Sequence, residues 1–222
     1  TIITKTSTGR TVLNFDTRKD TSSFFVFSPD EKSIIYREKK TIVIRDIETG
    51  TVRAMIPYKK TITGLTLNFN GTVVAVASTD TTLRLWDTGT GKLVADLSPV
   101  KRKIGYLDFT ADDRFLTTNS YDSSIQVWDV ETGKLATTIS IGPDDMYSFN
   151  LVRNGKYYLV TRSYESVMKV WDMESGKLLT SALDKYNSSL NYILHPSKAQ
   201  FIIDTKFSAE IWDIGSTAPA LK

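Results

Sequence analysis

The dipeptide Trp-Asp recurs along this chain at a nearly constant interval. It stands at Trp86-Asp87, Trp128-Asp129, Trp171-Asp172 and Trp212-Asp213, with a degenerate copy at Arg45-Asp46. Asp46, Asp87, Asp129 and Asp172 open Asp-x-x-(Thr/Ser)-Gly turns that end at Gly50, Gly91, Gly133 and Gly176, and a further Ser-Thr-Gly ends at Gly9. From Gly9 through Gly50, Gly91, Gly133 and Gly176 the steps are 41, 41, 42 and 43 residues. A repeat of this length is one small supersecondary unit that cannot bury its apolar face alone, so successive units must stack into a continuous core.

Each period reads as four short strands. Between residues 61 and 97, Ile62, Leu65, Leu67 and Phe69 mark a first strand, turned by Asn70-Gly71. Val73–Ser78 form a second and Thr79-Asp80 turn again; Leu83–Asp87 form a third, and after Gly89–Gly91 come Leu93–Leu97 as the fourth. Alternation, β-branched residues and turn residues every eight to ten positions are the all-β pattern. The same order fits Phe24–Ile56, Ile104–Ile139 and Met146–Leu183, and a fifth copy runs from Leu190 to Asp213. Its turn decays to Ile214-Gly215-Ser216-Thr217 and leads to Pro219, a poor central-strand residue. That copy is expected to lack its own fourth strand.

With four Trp-Asp copies, the turns beneath them, and first strands ending in Phe27-Ser28-Pro29-Asp30, Phe69-Asn70-Gly71 and His195-Pro196-Ser197, the chain resembles the WD-repeat β-propeller family. The resemblance implies a ring of four-stranded blades, with Trp86, Trp128, Trp171 and Trp212 packing between blades. It implies turn roles for Asp87, Asp129 and Asp172, and extends the structural set to Asp213. The expectation is a single domain over 1–222, with repeats near 17–57, 58–98, 99–140, 141–183 and 184–217. Residues 10–15 are the candidate closing strand of a five-bladed ring. Thr1–Lys5 align with a third strand as well, and that surplus favours the alternative of a piece of a larger, for example seven-bladed, propeller, or completion by another chain or by self-association.

Hydrophobic content of 41% and charge of 24% are ordinary for a globular protein, and a net charge of +3 is too small to point to nucleic acid. No apolar run has transmembrane length, and there is no cysteine to hold a metal, form a disulfide or act as a nucleophile. The compartment stays open: the cytoplasm is the first expectation, with periplasmic or secreted locations as alternatives.

Alternating strand direction sorts the connections onto two faces. Turns between second and third strands share a face with the links from one copy to the next. That face carries Arg18, Lys19, Lys39, Lys40, Lys59, Lys60, Lys101, Arg102 and Lys103, whereas later copies offer Asp144, Asp145, Glu165 and Asp184. The first three blades should therefore present a basic sector able to attract an acidic or phosphorylated protein or peptide. Tyr58 and Tyr106 lie beside it in sequence and are candidate contact residues.

Enzyme chemistry finds no support in the pattern. The single histidine, His195, reads as a turn residue. On the innermost strands Asn68, Asp108 and Asn150 align with Val26 and Ile193, which leaves one carboxylate where glycoside hydrolysis needs two. There is no Gly-x-Ser-x-Gly elbow and no phosphate-binding glycine loop. The family's usual histidines are absent, although Ser78, Ser120 and Ser163 still stand eight residues before their tryptophans. The expected function is a non-enzymatic protein-interaction scaffold without a cofactor. A multivalent carbohydrate-binding propeller and an assembly module completed by another chain are the alternatives.

Overall fold

A computed structural model describes residues 2–5, 10–14, 25–100, 103–120, 122–142, 145–153, 155–163, 167–183, 191–195, 198–204, 209–216 and 220. The chain divides into two compact units, Thr1–Phe109 and Thr110–Lys222. Among the described residues there are only strands and turns.

In the first unit, β1 (Ile2–Lys5) pairs with β2 (Arg10–Asn14) as a two-stranded antiparallel sheet. β3 (Phe25–Phe27), β4 (Ser33–Glu38), β5 (Thr41–Asp46) and β6 (Val52–Pro57) make a four-stranded sheet in sequence order. The next sheet is β7 (Ile62–Leu67), β8 (Val73–Ser78), β9 (Leu83–Asp87) and β10 (Leu93–Asp96). A third, β11 (Ile104–Phe109), β12 (Phe115–Ser120), β13 (Ser124–Asp129) and β14 (Lys134–Ser140), is where the two units divide. The second unit continues with β15 (Asp145–Arg153), β16 (Lys156–Ser163), β17 (Val167–Asp172) and β18 (Leu178–Leu183). It ends with β19 (Asn191–Leu194), β20 (Gln200–Asp204) and β21 (Ala209–Asp213) in a three-stranded sheet. The fold is all-β, with meandering antiparallel sheets in blade order.

Burial explains the sequence pattern within each sheet. Second strands are covered on both faces: five of the six residues of β4 and of β8 are buried. They therefore read as apolar runs such as Val73-Val74-Ala75-Val76-Ala77 rather than as alternation. Fourth strands lie at the sheet edge, and β6 buries only Ile56. In the first unit one cluster joins two sheets: Ile35, Ile42, Ile44, Ile56 and Tyr58 pack with Ile62, Val74 and Val76. In the second unit Phe115, Ile125, Val127 and Ile139 pack with Tyr157, Leu159, Trp171 and Met173. Tyr158, Val160, Met168 and Val170 then pack with Phe201 and Trp212. Within each unit a repeat thus completes the core of the one before it.

A register shift recurs where the third strand meets the fourth: beside Ile44/Arg45, Leu93/Ala95, Val127/Trp128 and Val170/Trp171. The same shift occurs at Ile3/Thr4 in the two-stranded sheet, so β1 and β2 have the geometry of a third and fourth strand. At the other end, Ala220 N–H donates to the Ile211 carbonyl at 2.7 Å. Ile211 occupies the place of Leu85, whose partner in the second sheet is Ala95.

The first strands end earlier than the apolar pattern suggests, because polar residues capture the backbone. The N–H groups of Ser28, Asn68, Thr110 and His195 each donate to the carbonyl five residues on, at 2.9–3.0 Å. The side-chain oxygens of Ser28, Asn68 and Thr110 accept from Ser33, Val73 and Phe115 N–H in return. This repeated turn corrects the innermost-strand alignment. Asn68 matches Ser28 and Thr110, so Asp108 matches Val26 and Thr66, which pair with Ile35 and Ala75. By the same register Phe149 and Ile193, opposite Val160 and Ile202, take that place in later copies, and Asn150 does not.

Candidate functional site

The aspartate turns are built alike. Oδ1 of Asp46, Asp87, Asp129 and Asp172 accepts from the N–H of Thr49, Thr90, Thr132 and Ser175 at 2.7–2.8 Å. The hydroxyl of the same Thr or Ser donates to the same oxygen at 2.6–3.0 Å. The closing glycines have φ between 67° and 72°, a region open to glycine at little cost. These donors stabilise the ionised carboxylate. The Thr49 N–H, with Arg53 and the Thr49 hydroxyl, holds Asp46 at about 2. Asp87 and Asp129 are lowered by the same bonds, and at Asp172 burial opposes while the Ser175 bonds prevail. Asp213 lacks this turn: its Oδ1 accepts from Gln200 Nε2 at 2.7 Å, and Ser216 N–H donates to its carbonyl.

Above the turns, the indole N–H of Trp128 donates to Thr118 Oγ1 at 3.1 Å, and that of Trp171 to Thr161 Oγ1 at 3.0 Å. Strand register puts Tyr36 in the corresponding place of the first sheet, and its hydroxyl accepts from Arg45 Nε at 3.2 Å. The second sheet has Val76 there, so Trp86 reaches back to the Tyr58 hydroxyl at 2.6 Å. Trp212 donates to Glu210 Oε2 at 3.2 Å. The serines eight residues before Trp86, Trp128 and Trp171 are what the sequence pattern points to, and two of them are engaged elsewhere. Ser78 donates to the Thr61 carbonyl, and Ser163 accepts from Val167 N–H. The signal that finds the true partners is a hydroxyl two places further from the tryptophan, Thr118 or Thr161.

Backbone hydrogen bonds tie the connections of the first unit into one face. Tyr58 N–H donates to the Lys40 carbonyl at 2.7 Å, Thr79 N–H to Thr61 at 2.9 Å, and Val100 N–H to Thr81 at 3.0 Å. The turn bearing Lys39-Lys40 is thereby joined to the link bearing Lys59-Lys60. That link in turn is joined to the Thr79–Thr82 turn, and from there the chain passes through Val100 toward Lys103. Lys39, Lys40, Lys59, Lys60 and Lys103 are all exposed. Glu38, exposed, and Asp80, half-buried, lie in the same turns, and Asp96, exposed at the end of β10, pairs with Arg84 at 2.9 Å. Arg18, Lys19, Lys101 and Arg102 lie outside the described residues, as do Asp144, Glu165 and Asp184. Tyr58 is not a surface contact: it is buried, its hydroxyl holds Trp86, and burial pushes its pKa up. Tyr106 is half exposed.

At the other turns of each unit, charges are engaged locally. Arg53 pairs with Asp46, Arg114 lies 3.7 Å from Glu174, and the Tyr157 hydroxyl donates to Asp112 at 2.7 Å. His195 Nδ1 accepts from Lys198 N–H at 3.0 Å, which is a turn-capping contact. Among the described residues no group of three or more His, Asp or Glu is placed to hold a metal ion, and no helix is long and apolar enough to cross a membrane.

Comparison with known proteins agrees with this geometry. The family described as "WD domain, G-beta repeat" matches residues 51–87 and 91–129. Both segments start at a turn glycine or just after one and end on Trp-Asp. No curated protein matches the sequence. Among solved structures that match is the computationally designed Ika8 protein, at 21% identity and a TM-score of 0.67, over 96% of this chain and 64% of that one. The chain thus spans less than two thirds of that protein's length, and the likeness concerns the fold. The matched repeats, the recurring turns and the sheets in blade order support a WD-repeat family for this chain, with the repeats themselves matched at residues 51–87 and 91–129.

Proposed function

We propose that the chain is a non-enzymatic interaction scaffold that binds an anionic protein or peptide through the exposed lysines of its first unit. WD repeats generally mediate protein–protein interaction; the choice of face and the sign of the partner are this proposal's own. The observation that carries it is the hydrogen-bond series Lys40–Tyr58, Thr61–Thr79 and Thr81–Val100, which groups lysines that are distant in sequence. The turns and links are held to one another by these backbone bonds, so a partner meets a surface that has less ordering entropy left to lose. Ammonium groups in solvent act at long range, steering an acidic partner and making its binding sensitive to salt.

The test is binding of a decaglutamate peptide, and of a phosphorylated peptide of equal length, to the wild type and to a Lys39→Glu, Lys40→Glu, Lys59→Glu, Lys60→Glu variant. Wild-type affinity should fall as salt rises, and the variant should bind about tenfold or more weakly. Equal affinity and equal salt dependence for the two proteins would overturn the reading.

A further inference from the structure

The turn between β7 and β8 gathers three hydrogen-bond donors on one side-chain carbonyl. Asn70 Oδ1 accepts from Thr72 N–H at 2.9 Å, from the Thr72 hydroxyl, and from Asn68 Nδ2 at 3.0 Å. Asn68 is buried, and its own Oδ1 accepts from Val73 N–H at 2.8 Å, which fixes its amide nitrogen toward Asn70. Asn70 is exposed and is followed by Gly71, whose φ is 79°. The corresponding turns of two other copies carry a carboxylate in this place. Asp30 Oδ1 accepts from the Ser28 hydroxyl and from Lys32 N–H at 3.1 Å, and Asp112 Oδ1 from the Thr110 hydroxyl and from Arg114 N–H at 3.3 Å.

We propose that Asn70 is a site of spontaneous deamidation, converted in the folded chain into an aspartate that the turn then holds as it holds Asp30 and Asp112. Once hydroxide has taken its proton, the Gly71 nitrogen attacks Asn70 Cγ. A bond forms between them, the Cγ–Nδ2 bond breaks, and ammonia leaves with a proton from water, giving a five-membered succinimide. Water then adds at Cγ, the bond from Cγ to the Gly71 nitrogen breaks, and that nitrogen recovers its proton. The ordinary peptide is restored with a carboxylate on residue 70. Negative charge develops on Oδ1 as the nitrogen adds, and the three donors already point at that oxygen, in the manner of an oxyanion hole. Glycine places no side chain beside the attacking nitrogen. Gly71 N–H donates to the Asn68 carbonyl at 3.0 Å, so attack begins with the opening of one bond in an exposed turn. Ring opening at the main-chain carbonyl instead would move a methylene into the backbone and spoil the closure of the turn, where Asn68 N–H meets the Val73 carbonyl at 3.0 Å. The fold thus favours ordinary aspartate as the product.

The sequence contains an internal control. Asn154-Gly155 is the same dipeptide, and Gly155 has a similar φ of 70°. Asn154 itself lies outside the described residues. Lys156 stands two places after it and Val152 two places before, so the sequence offers no counterpart there to the Thr72 hydroxyl or the Asn68 amide.

The experiment incubates the whole chain at mildly basic pH, folded and in urea, and follows both sites by peptide mass mapping. In the folded chain Asn70 should convert on the order of tenfold faster than Asn154, at a rate that rises with hydroxide, and chiefly to ordinary aspartate. In urea the two should convert alike. Thr72→Val should slow Asn70 severalfold and leave Asn154 unchanged. Asn68→Asp, which still accepts from Val73 N–H but has no donor to give, should slow it as well. Asn70→Asp should keep the wild-type Tm, since the turn accommodates the product. Folded-state conversion of Asn70 no faster than that of Asn154, a rate indifferent to both donor variants, or a marked loss of Tm in Asn70→Asp would refute the proposal.

Discussion

The first sheet carries Arg45 where the fourth carries Trp171, and the two residues meet the same local demand in different ways. Each directs an N–H at a hydroxyl from the second strand, Tyr36 in one case and Thr161 in the other. Trp171 is 9% exposed and joins a cluster of buried residues from the third and fourth sheets. Arg45 is only half-buried and donates from Nη1 to the Gly50 carbonyl at 2.7 Å, closing its own turn. The hydrogen bond is therefore local to a sheet, while the indole's bulk serves the stacking of one sheet on another. A repeat can lose the second and keep the first.

This comparison should break most visibly at the larger side chain. Trp171→Ala should cost about 3–5 kcal/mol, as for other large-to-small changes in cores, whereas Arg45→Ala should cost about 1 kcal/mol. Urea unfolding of the two variants measures both, and equal losses would mean that Trp171 packs no better than Arg45. The turn glycines give the next contrast. A Cβ at Gly91 would lie 2.7 Å from Ala54 Cβ, whereas one at Gly50 meets nothing within 4 Å, and both residues have positive φ. Gly91→Ala should cost about 2–4 kcal/mol, from strain and overpacking together, and Gly50→Ala about 1 kcal/mol from strain alone. Similar midpoints for the two variants would contradict the close approach of the second sheet to the first.

A smaller effect isolates the hydroxyl. Thr161→Val keeps the volume but leaves the buried Trp171 N–H without its acceptor, at about 1–2 kcal/mol, read as a loss of Tm and as a changed indole N–H shift. The mildest test is pH. Asp46 has its pKa lowered from 3.8 to about 2, so its contribution is complete above the higher value and is lost as pH falls through the lower. A carboxyl titration followed by NMR should find Asp46 near 2, and Thr49→Ala should move it upward. A value near 3.8 in the wild type would show that the turn bonds do not form in solution.

Much of this was legible in the sequence, since the strand bounds Val73–Ser78 and Leu83–Asp87 follow directly from turn residues that flank apolar runs. The polar partners were harder to find. Thr118 and Thr161 meet their tryptophans across a diagonal of the sheet, which exists only once register is set, so distance along the chain does not single them out. Asn68 resembled Asp108 in chemistry and was aligned with it, although its side chain belongs to the turn and captures Val73 N–H. Tyr58 read as a contact residue because it precedes two lysines, yet the aliphatic Val76 leaves Trp86 in need of that hydroxyl. The exposure of Lys39, Lys40, Lys59 and Lys60 was legible because residues in short turns and links have no strand face on which to be buried.

On the proposed reading, the repeats supply the scaffold and the unequal connections supply the function. Quantitative capture of bound proteins from native cells tests it with two charge-reversed chains. One carries Lys39→Glu, Lys40→Glu, Lys59→Glu and Lys60→Glu; the other carries Lys32→Glu and Lys92→Glu on the opposite face of the same unit. The first chain should lose the partner held by the wild type while the second retains it. Loss of that partner by the second chain alone, or by neither, would contradict the account.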